Sequence, residues 1–189
     1  MLDAAARLFG SYRFHEVRME DIAAEAAVGK GTLYRYFSDK EELYLALLDR
    51  ASRQLMHRLE GSSVRTGPAR LRLTAVVNGI LAFFDDHPNL LDLIQRAEVL
   101  RGSGPEFPWH ETRTEILHLV LDIFKEGKAR DEFCIRDAET SAMMLLGGLR
   151  SVIRFGKQPR PRDLAARIVE AFLQGADVSG RCRRPASDN

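Results

Sequence analysis

The sequence predicts an all-α protein of about nine helices, a small N-terminal helix-turn-helix unit followed by a larger helical bundle. Three observations carry that prediction. Apolar residues recur at three- and four-residue spacing almost throughout, runs that alternate apolar with polar are nearly absent, and Gly and Pro cut the chain into helix-length pieces.

The first helix is expected from about Leu2 to Gly10, with Leu2, Ala5, Leu8 and Phe9 on one face. A second covers about Met19 to Ala26, and a third, only two turns long, about Lys30 to Phe37. Ser38-Asp39-Lys40-Glu41 reads as a capping box that opens the fourth, in which Ser38 and Glu41 each satisfy an orphan amide. That helix runs to about Leu59 with Leu43, Leu47, Ala51 and Leu55 inward. Gly61-Ser62-Ser63 and Gly67-Pro68 mark a change of domain near residue 60. Five further helices are expected, at about 68–86, 89–101, 109–128, 137–155 and 161–175, separated by Pro88, Gly102 to Pro108, and Pro159 with Pro161. Residues 177–189 read as a disordered tail.

Composition narrows the class. The chain has 189 residues, 45% apolar and 29% charged, which is ordinary for a globular protein. No apolar run approaches the roughly 18 residues of a membrane span, and the amphipathic opening has no secretory leader, so a cytoplasmic protein is expected. Cys134 and Cys182 form no CxxC pair, and neither a structural disulfide nor a zinc site is expected. Arg181, Arg183 and Arg184 around Cys182 favour its thiolate and would suit redox sensing, although an incidental thiol on a tail is commoner. Net charge is +1, and residues 1–50 hold seven bases against nine acids, so charge placement rather than bulk charge must attract any nucleic acid.

That placement lies around the third helix. Ile22, Ala23 and Ala26 are expected to pack against Leu33 and Phe37 through Val28 in the turn, which leaves Lys30, Thr32, Tyr34, Arg35 and Tyr36 on the surface. Lys30 and Lys40 stand at helix N-termini, where free amides attract phosphate. Tyr34 and Tyr36 offer hydroxyls to phosphate and ring area to thymine methyls, while Arg35 and Thr32 suit base edges. Gly29 and Gly31 let the backbone approach a duplex closely.

Asp21-Ile22-Ala23, Ala27-Val28-Gly29-Lys30-Gly31-Thr32-Leu33-Tyr34-Arg35-Tyr36-Phe37 and Ser38-Asp39-Lys40-Glu41 resemble the signature of the TetR family of bacterial regulators, specifically over about residues 2–48. The resemblance implies three DNA-binding helices, a connecting fourth, and a C-terminal bundle that dimerises and holds an inducer. It sets Lys30, Thr32, Tyr34, Arg35 and Tyr36 on recognition positions and Lys40 on a phosphate position opening the fourth helix. Three departures stand out. Ala27 replaces the usual turn glycine, which is tolerable if that residue stays helical. Arg18 replaces a Ser or Thr cap, a loss of about 1 kcal/mol, while its guanidinium gains reach toward a phosphate. The sequence opens almost at the first helix, without the basic arm of many members, so no minor-groove contact is expected from it.

The domains are then 1–48, with the fourth helix continuing to about 59, and 60–176 for ligand binding and dimerisation. Ala142 to Leu149 is apolar on every side, and such a helix needs cover on two faces. A second subunit is the expected cover, through Leu145, Gly147, Leu149, Ser151 and Val152 together with Leu164, Ile168 and Phe172 of the last helix. A monomer with a thick core is the alternative. For the implied inducer cavity the candidate liners are Phe83, Phe84, Ile94, Trp109, His118, Leu121, Phe124, Met143 and Leu146, which suit an apolar or aromatic compound, although each also serves as simple core. His110-Glu111 with His118 lacks metal-motif spacing, so neither metal nor cofactor is expected.

The expected function is a repressor that binds a palindromic operator as a homodimer and is released by an inducer. A helical adaptor or a small helical enzyme is the alternative. No phosphate loop, paired carboxylates in an apolar setting, or Ser-His or Cys-His arrangement supports catalysis.

Overall fold

A computed structural model describes residues 1–102, 104 and 107–176. Among these the secondary structure is entirely helical, as the sequence predicts. The helices are α1 (Leu2–Ser11), α2 (Met19–Glu25), α3 (Lys30–Tyr36), α4 (Lys40–Leu59), α5 (Ser62–Arg65), α6 (Ala69–Asp86), α7 (Leu90–Arg101), α8 (Pro108–Ala129), α9 (Ala138–Phe155) and α10 (Leu164–Ala176). The expected tail, with Cys182, lies outside the described residues. The single-turn α5 occupies the stretch that the sequence marks as a break.

The chain forms two compact units whose boundaries fall within α4, α6 and α8. The first takes Met1–His57 with Phe84–Thr114. Its core is Phe9 of α1, Ile22 of α2, Leu33 of α3, and Leu43, Leu47, Leu48 and Leu55 of α4, all buried. Tyr44 is buried with them, and its hydroxyl donates to the Leu93 carbonyl of α7 at 2.7 Å. Phe9, Phe14 and Tyr44 form an aromatic triad with centroids 4.9–5.5 Å apart. Such edge and offset arrangements add to simple area burial. Gly10 permits the close approach of α7, because a Cβ there would fall 2.4 Å from Nδ2 of Asn89.

The second unit takes Arg58–Phe83 with the chain from Glu115 onward. Leu73, Val76, Val77 and Phe83 of α6, Val120, Ile123 and Phe124 of α8, Leu145 and Leu149 of α9, and Val169 and Leu173 of α10 form its core. The buried Arg72 is held by the Val64 carbonyl and by Glu126, which keeps its charge compensated. Cys134 is not a free thiol, which corrects the expectation for that residue.

Candidate nucleic-acid interface

Helices α2 and α3 meet through small and branched side chains, which allow two short helices to cross closely. Ile22, Ala23 and Leu33 are buried, while Ala26, Val28 and Phe37 are half-buried around them. Every residue named for this contact from the sequence takes part in covering it.

The turn between them is built differently from the expectation. Val28 N–H donates to the Ala23 carbonyl at 3.0 Å and Ala27 N–H to Ala24 at 3.0 Å. This pair of bonds is the Schellman ending, and it places Ala27 in the left-handed region at φ +52°. Ala27 therefore does not stay helical. Its Cβ meets the steric penalty that a glycine would avoid.

Two expectations about caps are also corrected. Glu42 N–H donates to Oδ1 of Asp39 at 2.8 Å, so the cap of α4 is Asp39 rather than Ser38. The Glu42 carboxylate, not that of Glu41, accepts from Ser38 N–H and Oγ. These bonds hold the Glu42 carboxyl below its ordinary range. The register moves by one residue because α4 begins at Lys40, which makes Glu42 the third helical residue. At α2, Arg18 contributes its backbone amide, which donates to the Asp21 carboxylate at 3.0 Å, and its exposed side chain makes no cap bond.

Helix α3 displays the expected face. Tyr34 is 41% exposed and Tyr36 57%, Lys30, Gly31 and Arg35 are exposed, and Thr32 is half-buried. The cations lie over the rings. Lys30 Nζ sits 5.7 Å from the Tyr34 centroid and the Arg35 guanidinium 5.4 Å from that of Tyr36. Lys30 also pairs with Glu20 of α2, and the hydrogen bond between them holds the Glu20 carboxyl low and the Lys30 ammonium high. A Cβ on Gly31 would meet nothing within 4 Å, and one on Gly29, the N-cap, only Thr32 Oγ1 at 3.7 Å. Neither glycine is demanded by packing within the chain.

Lys40 departs from its expected role. Its ammonium donates to the carbonyls of Phe14 at 2.6 Å and Val17 at 2.8 Å, and lies 4.5 Å from the Phe14 centroid. Two of its three donors are thus spent on the α1–α2 connection, which corrects the phosphate assignment. Position alone could not reveal this, since the partners are carbonyls 23 and 26 residues away.

The candidate ligand liners separate. Phe84, Ile94 and Trp109 are buried in the first unit, with the Phe84 and Trp109 rings 6.5 Å apart. Phe83 and Phe124 are buried in the second, where Phe124 stacks on Phe172 at 5.8 Å. Leu121 and Leu146 are half-buried. His118 and Met143 are exposed, so they do not line an interior. His118 belongs to an exposed stripe of α8 with Glu115, Asp122 and Lys125, and Met143 to the outer face of α9.

That outer face carries the apolar surface predicted for association. Met144 is 69% exposed and Phe155 78%, and Gly147, Gly148 and Ser151 share the face. Leu145 and Leu149 turn inward and are buried in their own unit, which corrects their assignment to an interface. Val152, Leu164, Ile168 and Phe172 are half-buried. Sequence reading passed over Met144 and Phe155 because a helix apolar all round does not show which side its own core takes.

Among the described residues no helix is long and apolar enough to cross a membrane, and no cluster of His, Cys, Asp and Glu is arranged to hold a metal ion.

Comparison with known proteins bears on this geometry. Residues 1–47 match the family model described as bacterial regulatory proteins, tetR family. The chain is 40% identical over 85 residues to the HTH-type transcriptional activator FasR of Mycolicibacterium smegmatis, covering 45% of this chain and 37% of that protein. It is 28% identical over 123 residues to the fatty acid metabolism regulator protein of Bacillus subtilis, covering 65% of this chain and 61% of that one. The matched stretches thus span less than two thirds of either relative. The fold resembles the crystal structure of the transcriptional regulator FadR from Bacillus subtilis in complex with stearoyl-CoA, with a TM-score of 0.76, 23% identity, and coverage of 92% of this chain and 96% of that one. The N-terminal 47 residues thus carry the tetR-family helix-turn-helix pattern, and the fold as a whole is similar to that of a solved bacterial transcriptional regulator.

Proposed function

We propose that the protein is a DNA-binding transcriptional regulator, a repressor that holds a palindromic operator as a homodimer and releases it when a small apolar molecule binds. One observation carries the DNA-binding reading. A two-turn helix whose Leu33 is fully buried presents Lys30, Tyr34, Arg35 and Tyr36 outward, with cations stacked on aromatic rings. Buried packing does not account for such a surface, whereas a major groove does: Arg35 and Thr32 reach base edges, and Tyr34, Tyr36 and Lys30 reach thymine methyls and phosphates. Gly29 and Gly31 keep the backbone near the duplex. Arg18 stands by as a phosphate contact. Such a protein works in the cytoplasm.

A single two-turn helix reads few bases, so a two-fold partner presents the second at about 34 Å. The exposed apolar face of α9 supports that pairing. We assign DNA binding to residues 1–48 and effector binding and dimerisation to 60–176. The kinship to a fatty acid metabolism regulator and the likeness to a stearoyl-CoA complex support an effector with an acyl chain. A coupling of about 1–3 kcal/mol lowers operator affinity roughly 5- to 150-fold.

The test is a gel shift and footprint on DNA flanking the gene, with and without stearoyl-CoA. A palindromic footprint bound by a dimer, released by the acyl-CoA, is the expected result. Arg35→Ala should relax base preference by about 1–3 kcal/mol at one position. A monomer in solution, or Arg35→Ala and Tyr34→Ala proteins that bind as the parent does, would overturn the reading.

A further inference from the structure

A cleft of about 400 Å³ opens in the first unit beside α1, α4 and the start of α7. Leu47, Ala51, Leu90 and Leu93 supply apolar wall, and Asp3, Arg7, Arg50, Asp86 and His87 bring charge to it. Its size falls within the range of small-molecule sites. None of the residues given a DNA contact lines it.

Arg50 is the unusual member. Its Nη2 donates to Oδ1 of Asp3 at 2.5 Å, while its Nε is buried and has no hydrogen-bond partner. Nε–H and Nη2–H lie along one edge of the guanidinium, the edge that a carboxylate meets with two parallel bonds. Asp3 covers only one corner of that edge. The Asp3 side chain is mostly exposed and sits in the first turn of α1, so it is free to turn out to solvent. Its carboxyl is held below the usual range by the hydrogen bond from Arg50, so anything that replaces it must itself be a good anion.

We propose that this cleft binds a small organic monocarboxylate, its head on the Nε–Nη2 edge of Arg50 and its apolar body against Ala51, Leu90 and Leu93. The acids in the lining select against more highly charged ligands, because Asp3 and Asp86 repel a second negative charge. Occupancy displaces Asp3 and frees the first turn of α1 from α4. None of the candidate effector liners borders this cleft, and the proposal does not depend on the effector or DNA readings above.

The experiment titrates hexanoate into the full chain by calorimetry and melting, with 1-hexanol and acetate in parallel. Hexanoate should bind and raise the melting temperature by a few degrees at saturation, and neither comparison compound should do so. Arg50→Lys keeps the charge but loses the two-donor edge, and should weaken binding by about tenfold or more. Asp3→Asn removes the competing carboxylate and should tighten it several-fold. Both variants should keep the parent's DNA affinity and its response to stearoyl-CoA, so failure here is distinct from failure of the regulator reading. If Arg50→Lys does not fold, Asp3→Asn alone decides the matter. Equal effects of hexanol and hexanoate, undiminished binding by Arg50→Lys, no tightening by Asp3→Asn, or no binding of hexanoate at all would overturn the proposal.

Discussion

Lys40 lies against the face of Phe14 and also donates to that residue's own carbonyl, at 2.6 Å. One ammonium thus holds both the ring and the backbone of the connection between α1 and α2. Lys40→Ala should destabilise the protein by about 1–3 kcal/mol, the value of lost charge-assisted bonds in a half-buried setting. The slope of DNA affinity against salt should stay as in the parent, because no phosphate contact is removed. A flattened slope would return Lys40 to the phosphate backbone.

Ala27 stands at φ +52° where the Schellman ending asks for glycine. Ala27→Gly should relieve the Cβ clash and raise stability by about 0.5–1 kcal/mol, roughly 1–4 °C in melting temperature for a chain of this size. Operator affinity should be unchanged, since Ala27 precedes the reading helix. An unchanged or lower melting temperature would show that the turn tolerates alanine without strain.

Burial pushes the Tyr44 hydroxyl up to about 12, with Arg96 pulling the other way. The folded state prefers the neutral phenol, so its contribution is complete below pH 10, the ordinary tyrosine value, and is lost as pH rises from there through 12. Tyr44→Phe should cost about 1 kcal/mol at neutral pH by removing its hydrogen bond to the Leu93 carbonyl. It should also remove this part of the alkaline loss. Denaturant melts at pH 8 and pH 11 give both numbers, and identical pH dependence in the two proteins would refute the assignment.

Met144 and Phe155 leave large apolar surfaces exposed on the outer face of α9. Met144→Lys with Phe155→Glu should give a folded monomer by sedimentation, with operator affinity reduced by 100-fold or more because the two reading helices are no longer linked. A dimer that survives both substitutions would place the interface elsewhere.

The helices were legible because α1, α4 and α6 to α10 are long and strongly periodic, so each apolar stripe declares its axis. The exposed face of α3 was legible because Tyr-Arg-Tyr around a single leucine has no use in a core. Features set by atoms rather than by pattern were not legible. The cap at Asp39 differs from one at Ser38 by a single residue, and both residue types cap well. Ala27 is left-handed although alanine itself favours the right-handed helix. Lys40 faces carbonyls from another part of the chain. His118, central by helical order, lies on the polar stripe of α8.

Gly31 has empty space on every side where a methyl group would stand. The fold itself therefore tolerates alanine there, and helix propensity favours it by about 1 kcal/mol. A Gly31→Ala protein should melt higher and yet grip its operator more weakly, held off by the thickness of one carbon. At this residue robustness and recognition are opposed, and selection for the sturdier molecule alone would yield a poorer regulator.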